Sequence, residues 1–287
     1  AGIVAKTGEY AARLGKRALV VSGAKALAAV QDSLLPSLRL NGVAFAASEF
    51  HGFCSQGNIE RFRQEVVGGK YDLLIGAGGG RVMDCVKAVS NAAKVPLITI
   101  PTIAATCAAW TPLSVVYTDQ GAYESILEYP YAPNLVLVDY EVLCRAPERY
   151  LAAGIADSLA KWHEITLNTS LLPRLDLTLT TSIALSEICN RVLYGNGPAA
   201  LKAARRHAVT EDFENTVDAV IFLVGTISGM VGEAARLAIG HTIYNCFSYF
   251  RSADGHLHGE KVAFGLAVQQ VLQGKSEKEV ARSEERR

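Results

Sequence analysis

The chain has 287 residues, enough for one large or two ordinary domains, and half of them are hydrophobic and a fifth charged, as is typical of a packed globular protein. Its 28 basic and 28 acidic residues balance to zero without a basic stripe, which argues against nucleic acid as a partner. Six cysteines are scattered with no Cys-x-x-Cys pair, so free thiols in a reducing compartment are expected rather than a disulfide framework. The most apolar stretch, 219–232, is too short to span a bilayer, and no signal peptide is visible. A cytoplasmic protein without a membrane partner is expected. The sequence does not begin with Met, so residues are expected to be missing upstream.

Residues 1–14 read as a helix stopped by Gly15. Arg17-Ala18-Leu19-Val20-Val21 reads as a strand, Ser22-Gly23-Ala24-Lys25 as its exit loop and 26–35 as a helix. A strand over 43–47 and a helix over 57–67 follow. The organising unit is 71–117. Tyr71-Asp72-Leu73-Leu74-Ile75 is a short apolar run leading into Gly76-Ala77-Gly78-Gly79-Gly80. Residues 81–93 have helical spacing, with Val82, Cys85, Val86 and Val89 on one face, and 96–100 is a second buried run. Strand, glycine loop, helix and strand make one βαβ unit of a parallel sheet. A hairpin over 114–127 turns around Asp119-Gln120-Gly121, and 134–139 reads as another buried strand. Beyond Pro147 helical periodicity dominates. Two domains are expected: an α/β domain over 1–146 and an all-α domain over 147–287, with a small-molecule cleft between them. Residues 276–287 form a charged end expected to be solvated.

Gly78, Gly79 and Gly80 let backbone amides approach a bulky anion at a helix start, a seat suited to a pyrophosphate. The spacing is neither Gly-x-Gly-x-x-Gly nor a P-loop, so a tight strand-to-helix turn is an equal reading. Asp157 sits mid-helix among small apolar residues, where a carboxylate is costly unless paired or metal-bound. An i, i+4 pair with Lys161 would satisfy it. His241 lies in an apolar helix read over 234–245, and His258 opens another helix. One Asp and two His can hold a divalent metal with a position left open, although the spacing does not demand it. There is no Gly-x-Ser-x-Gly elbow, and Cys107 has no evident His partner.

Taken together, Gly-Gly-Gly followed by Met83-Asp84-Cys85-Val86-Lys87-Ala88, then Pro101-Thr102-Ile103-Ala104-Ala105-Thr106, Leu135-Val136-Leu137-Val138-Asp139, 154–157 and His258-Gly259-Glu260-Lys261 resemble the glycerol dehydrogenase group of the iron-containing alcohol dehydrogenases. The resemblance implies an N-terminal α/β domain with a parallel sheet and a helical metal-binding domain, of the dehydroquinate synthase-like fold. It implies NAD or NADP and a zinc or iron ion, held by Asp157, His241 and His258. It places Gly78, Gly79, Gly80 and Asp84 at the pyrophosphate and Thr102, Thr111, Leu113 and Tyr117 beside the nicotinamide. A homo-oligomer acting on a small-molecule substrate is expected.

Cys107 stands where glycerol dehydrogenases carry an Asp that touches the polyol, and a thiol cannot accept hydrogen bonds as a carboxylate does. Ala105 replaces a Ser, and Tyr244 a His. The run 106–114 is closer to the hydroxycarboxylate dehydrogenase branch, so interconversion of small 2-oxo and 2-hydroxy acids is the expected activity. A small-polyol dehydrogenase is the alternative, and a dehydroquinate synthase-type lyase fits the motifs less well. Family members also begin with a further strand and end with further helices. A helical domain incomplete at its C-terminus is therefore expected, and a truncated or degenerate non-catalytic nucleotide-binding protein is the remaining alternative. No acid follows the first strand and Lys25 is near, which points to NADP(H). Lys161 lies one turn beyond Asp157 and is a candidate receptor for a substrate carboxylate, with a plain salt bridge as the equal alternative.

Overall fold

The computed structural model describes residues 2–253, 255–278 and 280. Two compact units form, Ala1–Ile103 with Ala108–Leu143, and Ala104–Cys107 with Cys144–Arg287. The sequence places the boundary near Pro147. The short segment 104–107 joins the second unit because it packs there: the Ala104 carbonyl lies where a Cβ on Gly154 would sit, 2.1 Å away. The expected solvated end over 276–287 falls largely outside the described residues.

In the first unit a 3-10 turn (Ile3–Lys6) and α1 (Thr7–Leu14) precede β1 (Arg17–Ser22), α2 (Ala24–Leu40), β2 (Ala44–Glu49), α3 (Gln56–Gly68), β3 (Leu73–Gly78), α4 (Gly80–Ala93) and β4 (Leu97–Pro101). A hairpin of β5 (Leu113–Tyr117) and β6 (Tyr123–Glu128) follows, then β7 (Leu135–Val136) and α5 (Tyr140–Cys144). Five strands form a parallel sheet in the order β2-β1-β3-β4-β7. Its strands alternate between two cores. Ala18, Val20, Leu73 and Ile75 pack with Val30, Leu34 and Leu38 of α2. Leu19, Val21 and Leu74 pack with Phe62 of α3 and with Val82 and Val86 of α4. Burial on both faces is what makes these strands continuous apolar runs in the sequence.

Three elements differ from expectation for physical reasons. α2 begins at Ala24 and continues through Pro36 to Leu40, because Leu38 prolongs the apolar face begun by Val30 and Leu34. The expected strand over 134–139 is strand only at Leu135–Val136, with the Leu137 amide still bonding the Thr99 carbonyl of β4 at 2.9 Å. Its flanks serve as acceptors instead: the Asn134 side chain takes the Leu97 amide at 2.9 Å, and the Asp139 carboxylate takes the Gly2 and Val4 amides at 3.0 Å each. The opening helix is split into a 3-10 turn and α1.

The second unit is helical: α6 (Glu148–Ser170), α7 (Leu177–Arg205), α8 (Glu211–Asp218), a π-helical turn (Ala219–Leu223), α9 (Val224–Met230), α10 (Gly232–Arg236), α11 (Ile239–Phe247) and α12 (His258–Leu272). No described helix is long and apolar enough to cross a membrane. Glycines let α6, α11 and α12 approach one another. A Cβ on Gly259 would lie 1.8 Å from the Ala153 carbonyl oxygen, and one on Gly265 would lie 2.5 Å from that of Gly240. Arg149 of α6 clamps Glu260 of α12 at 2.5 and 2.8 Å.

Alanine in a helix interior is normally favoured over glycine by about 1 kcal/mol. At Gly259 a backbone oxygen occupies the Cβ position, and overpacking of this kind costs about 1–3 kcal/mol or more. Gly259→Ala is therefore expected to lower the thermal midpoint, whereas Gly195→Ala on the exposed face of α7, where a Cβ meets nothing within 4 Å, should raise it slightly. Thermal unfolding of the two variants beside wild type tests the contrast.

Candidate metal centre and nucleotide site

Asp157, His241 and His258 come from α6, α11 and α12, and their ligand atoms all lie within 4.8 Å of one another. Asp157 is buried, with 3% of its surface exposed. Its Oδ1 lies 3.2 Å from His241 Nε2 and 3.2 Å from His258 Nε2. The expected ion pair with Lys161 does not form: among the described residues the carboxylate is paired with the two imidazoles. The helix read over 234–245 is broken between Arg236 and Ile239, where Leu237 is extended and Ala238 is far from helical geometry. That break leaves amides of α11 without helical acceptors, and Glu164 of α6 takes them. Its Oε1 accepts from the Ala238 and His241 amides at 3.1 and 2.9 Å, and its Oε2 lies 2.6 Å from His241 Nδ1.

These contacts test whether a cation belongs here. A neutral His241 that donates Nδ1–H to Glu164 presents a bare Nε2 to Asp157. Two acceptors would then face each other at 3.2 Å with nothing between them. Ligand bonds of about 2.0–2.2 Å in a tetrahedron place neighbouring ligand atoms about 3.3–3.6 Å apart. The Asp157–His separations are close to such an edge, and two nitrogens with one carboxylate are a donor set that zinc and iron both accept. The residues fit a divalent metal.

The electrostatics agree. Burial alone would raise the Asp157 pKa. In the metal-free pocket, with the two rings protonated, the charge of His258 and hydrogen bonds from both imidazoles override it and hold the carboxyl well below its usual range. Burial would likewise lower the His241 pKa, but the Glu164 charge and the Glu164 and Asp157 hydrogen bonds raise it. The pocket thus favours positive charge at its centre. Tyr244 packs edge-on against His258, with ring centroids 4.1 Å apart.

In the first unit the glycine run serves close packing. Cβ atoms on Gly76 and Gly78 would meet Val86 and Val82 of α4 at 2.5 and 2.8 Å, and one on Gly79 would meet Ile103 at 2.7 Å. Close packing therefore explains glycine at these positions without any ligand. The same packing brings the start of α4, where Gly79 has no side-chain cap, to the carboxyl edge of the sheet. The Thr102 amide bonds the Gly78 carbonyl at 3.0 Å. Lys25, exposed in the first turn of α2, follows β1, the neighbour of β3 at that edge.

Asp84 is buried and pairs with Lys87 at 3.1 Å. Lys87, only 1% exposed, also donates to Thr111 Oγ1 at 2.9 Å and to the Leu113 carbonyl. Asp84, Thr111 and Leu113 are thus gathered by one buried ammonium that sequence reasoning did not single out. Tyr117 packs on Phe53 at 6.0 Å. In the second unit Cys107 is half-buried, with Sγ 3.9 Å from Ser228 Oγ. All six cysteines are free thiols. Lys161 is 7% exposed and makes no described ion pair, while its charge acts on Glu164 and His241.

The chain belongs to the iron-containing alcohol dehydrogenase family, whose sequence profile, "Iron-containing alcohol dehydrogenase", matches residues 1–140. It is a dehydrogenase acting on alcohol groups, in a family for which NAD(P) and a divalent metal are typical. Among its relatives, hydroxycarboxylate dehydrogenase A of Escherichia coli (strain K12) is 36% identical over 261 residues, covering 91% of this chain and 71% of the relative. The glycerol dehydrogenase of Escherichia coli O6:H1 is 35% identical over 283 residues, covering 98% and 76%. The crystal structure of a probable glycerol dehydrogenase from Sinorhizobium meliloti 1021 superposes with a TM-score of 0.87 at 30% identity, covering 98% of this chain and 78% of that one.

The metal assignment has a direct test. The wild-type chain is expected to bind one zinc per chain. His258→Ala, at the most exposed of the three candidate ligands, should lose more than about 100-fold in affinity while the fold survives. Metal content after dialysis and competition with a chromophoric chelator measure both.

Proposed function

We propose that the chain interconverts small 2-oxo acids and 2-hydroxy acids, with a divalent metal at Asp157, His241 and His258 and NADP(H) as the preferred nucleotide. The observation that carries the metal-dependent part is the convergence of three ligand atoms from three helices within 4.8 Å. When bound, the metal supplies Lewis acidity toward the substrate oxygen and the nicotinamide exchanges the hydride.

The chain's own residues do the rest. Asp157 and the two imidazoles fix the cation, and Lys161 offers a buried ammonium on the same face of α6. Charge arithmetic favours an anionic substrate. Asp157, Glu164 and Lys161 sum to one negative charge, a divalent ion turns this to one positive, and a substrate carboxylate brings it to zero. A neutral polyol would leave the positive charge unbalanced, and Cys107 offers no carboxylate to its hydroxyls. Gly78, Gly79 and Gly80 with the start of α4 would hold the pyrophosphate, near Asp84. Thr102, Thr111, Leu113 and Tyr117 would line the nicotinamide. At the end of β1 no acid is present to bond the ribose 2′-hydroxyl, and Lys25 would favour a 2′-phosphate. Glycerol oxidation is the second reading, favoured by the glycerol dehydrogenases at 30–35% identity.

Two measurements decide. With zinc or iron supplied, kcat/KM for NADPH-dependent reduction of 2-oxobutyrate should exceed that for glycerol oxidation by at least tenfold, and NADPH should be preferred to NADH. A glycerol preference rejects the acid reading, and a strong NADH preference rejects the role of Lys25. Lys161→Ala should lower kcat/KM for 2-oxobutyrate by about 30-fold or more, the cost of unpairing a buried charge, while zinc remains bound. Unchanged reduction of the acid removes Lys161 from the site.

A further inference from the structure

Glu164 is neither a candidate ligand nor a candidate substrate contact, yet it has no exposed surface, less than any other described acid of the second unit. One oxygen accepts the Ala238 and His241 amides, and the other lies 2.6 Å from His241 Nδ1. α11 has no side-chain cap of its own, so a carboxylate from α6 caps it at the positive end of its dipole. The same carboxylate decides which ring nitrogen of His241 carries the proton. We propose that Glu164 is a positioning residue for the metal centre: it holds His241 in the Nδ1–H tautomer, so that Nε2 is bare and aimed at the ion beside Asp157. This rests on the metal-site reading above and extends it to a residue that touches neither metal nor substrate.

The geometry suits this purpose beyond capping. Amides alone would need one oxygen, and the first oxygen already receives both. The second is left for the ring, at a distance typical of a short charge-assisted bond. A Cβ on Gly240 would stand 3.0 Å from Glu164 Oε1, so the residue before His241 leaves room for the carboxylate. Carboxylate–imidazole–metal chains of this kind fix ring orientation and raise ligand basicity, and breaking one costs about 10–100-fold in metal affinity.

Glu164→Gln separates capping from positioning. The glutamine oxygen can still accept the two amides, but its NH2 would face Nδ1 and can only donate to it. His241 would then carry its proton on Nε2, where the ion should sit. Zinc affinity by chelator competition is expected to fall about 10–100-fold, with a changed visible spectrum of the cobalt-substituted protein. The metal-free thermal midpoint should stay close to wild type, while Glu164→Ala should lower both affinity and midpoint. Affinity and cobalt spectrum unchanged in Glu164→Gln overturn the proposal.

Should the Gln variant not fold, the zinc-loaded wild type gives the answer by histidine 15N NMR. Nε2 coordination with a protonated Nδ1 at His241 is expected, and coordination through Nδ1 overturns the inference. Failure of the wild-type chain to bind zinc, iron or cobalt at all would instead strike the metal-site reading itself, which keeps the two failures apart.

Discussion

A carboxylate placed mid-helix among alanines and leucines is the constraint from which the second unit follows. Asp157 is lost to solvent, and no lysine one turn away repairs the loss. Two imidazoles do, and they must come from other helices. His241 arrives on α11 only because the chain breaks just before it, and the break exposes amides that Glu164 satisfies. His258 arrives as the first residue of α12, whose entry is fixed by Glu260 accepting the Leu257 amide and pairing with Arg149. Each demand is met by a group that creates the next one, which is how a single buried charge specifies the packing of three helices.

That packing needs room, and glycine supplies it next to the ligands. Gly259 follows His258, Gly240 precedes His241, and Gly154 lies one turn before Asp157; at each of them a Cβ would press on a neighbouring backbone or carboxylate atom. None of the three has a positive φ that would require glycine. Gly259 and Gly240 let α12 and α11 close on α6, around the 3.2 Å separations at Asp157, while Gly154 admits the Ala104 backbone against α6.

How much of this the sequence discloses depends on the range of the interaction. The parallel strands are legible because burial on both faces writes an unbroken apolar run. Asp157 is legible as an anomaly, since a lone acid in an apolar helix demands a partner. Glu164 is not, because a glutamate in a helix is an ordinary helix former and its partner lies 77 residues away. The break at Leu237–Ala238 is equally silent: Ala-Arg-Leu-Ala-Ile carries no proline or polar cap, and the interruption is imposed by tertiary contacts. Lys87 was readable only as a helix position. Its 1% exposure and its bonds to Asp84, Thr111 and the Leu113 carbonyl arise because β5 folds back over α4. The glycine run shows the opposite difficulty. Its pattern is legible, but two causes write the same letters, since packing against Val82, Val86 and Ile103 would demand glycine even where no phosphate binds.

The balance of charge around α6 bears on what such a centre can select. Asp157, Lys161 and Glu164 follow at i, i+4 and i+7, so one helix face presents acid, base and acid in a region with almost no water. In so dry a place net charge cannot be left over cheaply. The two acids already have partners in the imidazoles and in the start of α11. Among the described residues the ammonium has none of comparable geometry, although it weakens the positive charge that His241 can hold. A divalent ion beside it would turn the one negative charge of Asp157, Lys161 and Glu164 into one positive charge, and a ligand carrying its own negative charge would cancel it. On the proposed reading, selectivity for an acid over a polyol would come from the electrostatics of one helix face, with Cys107 offering no competing carboxylate.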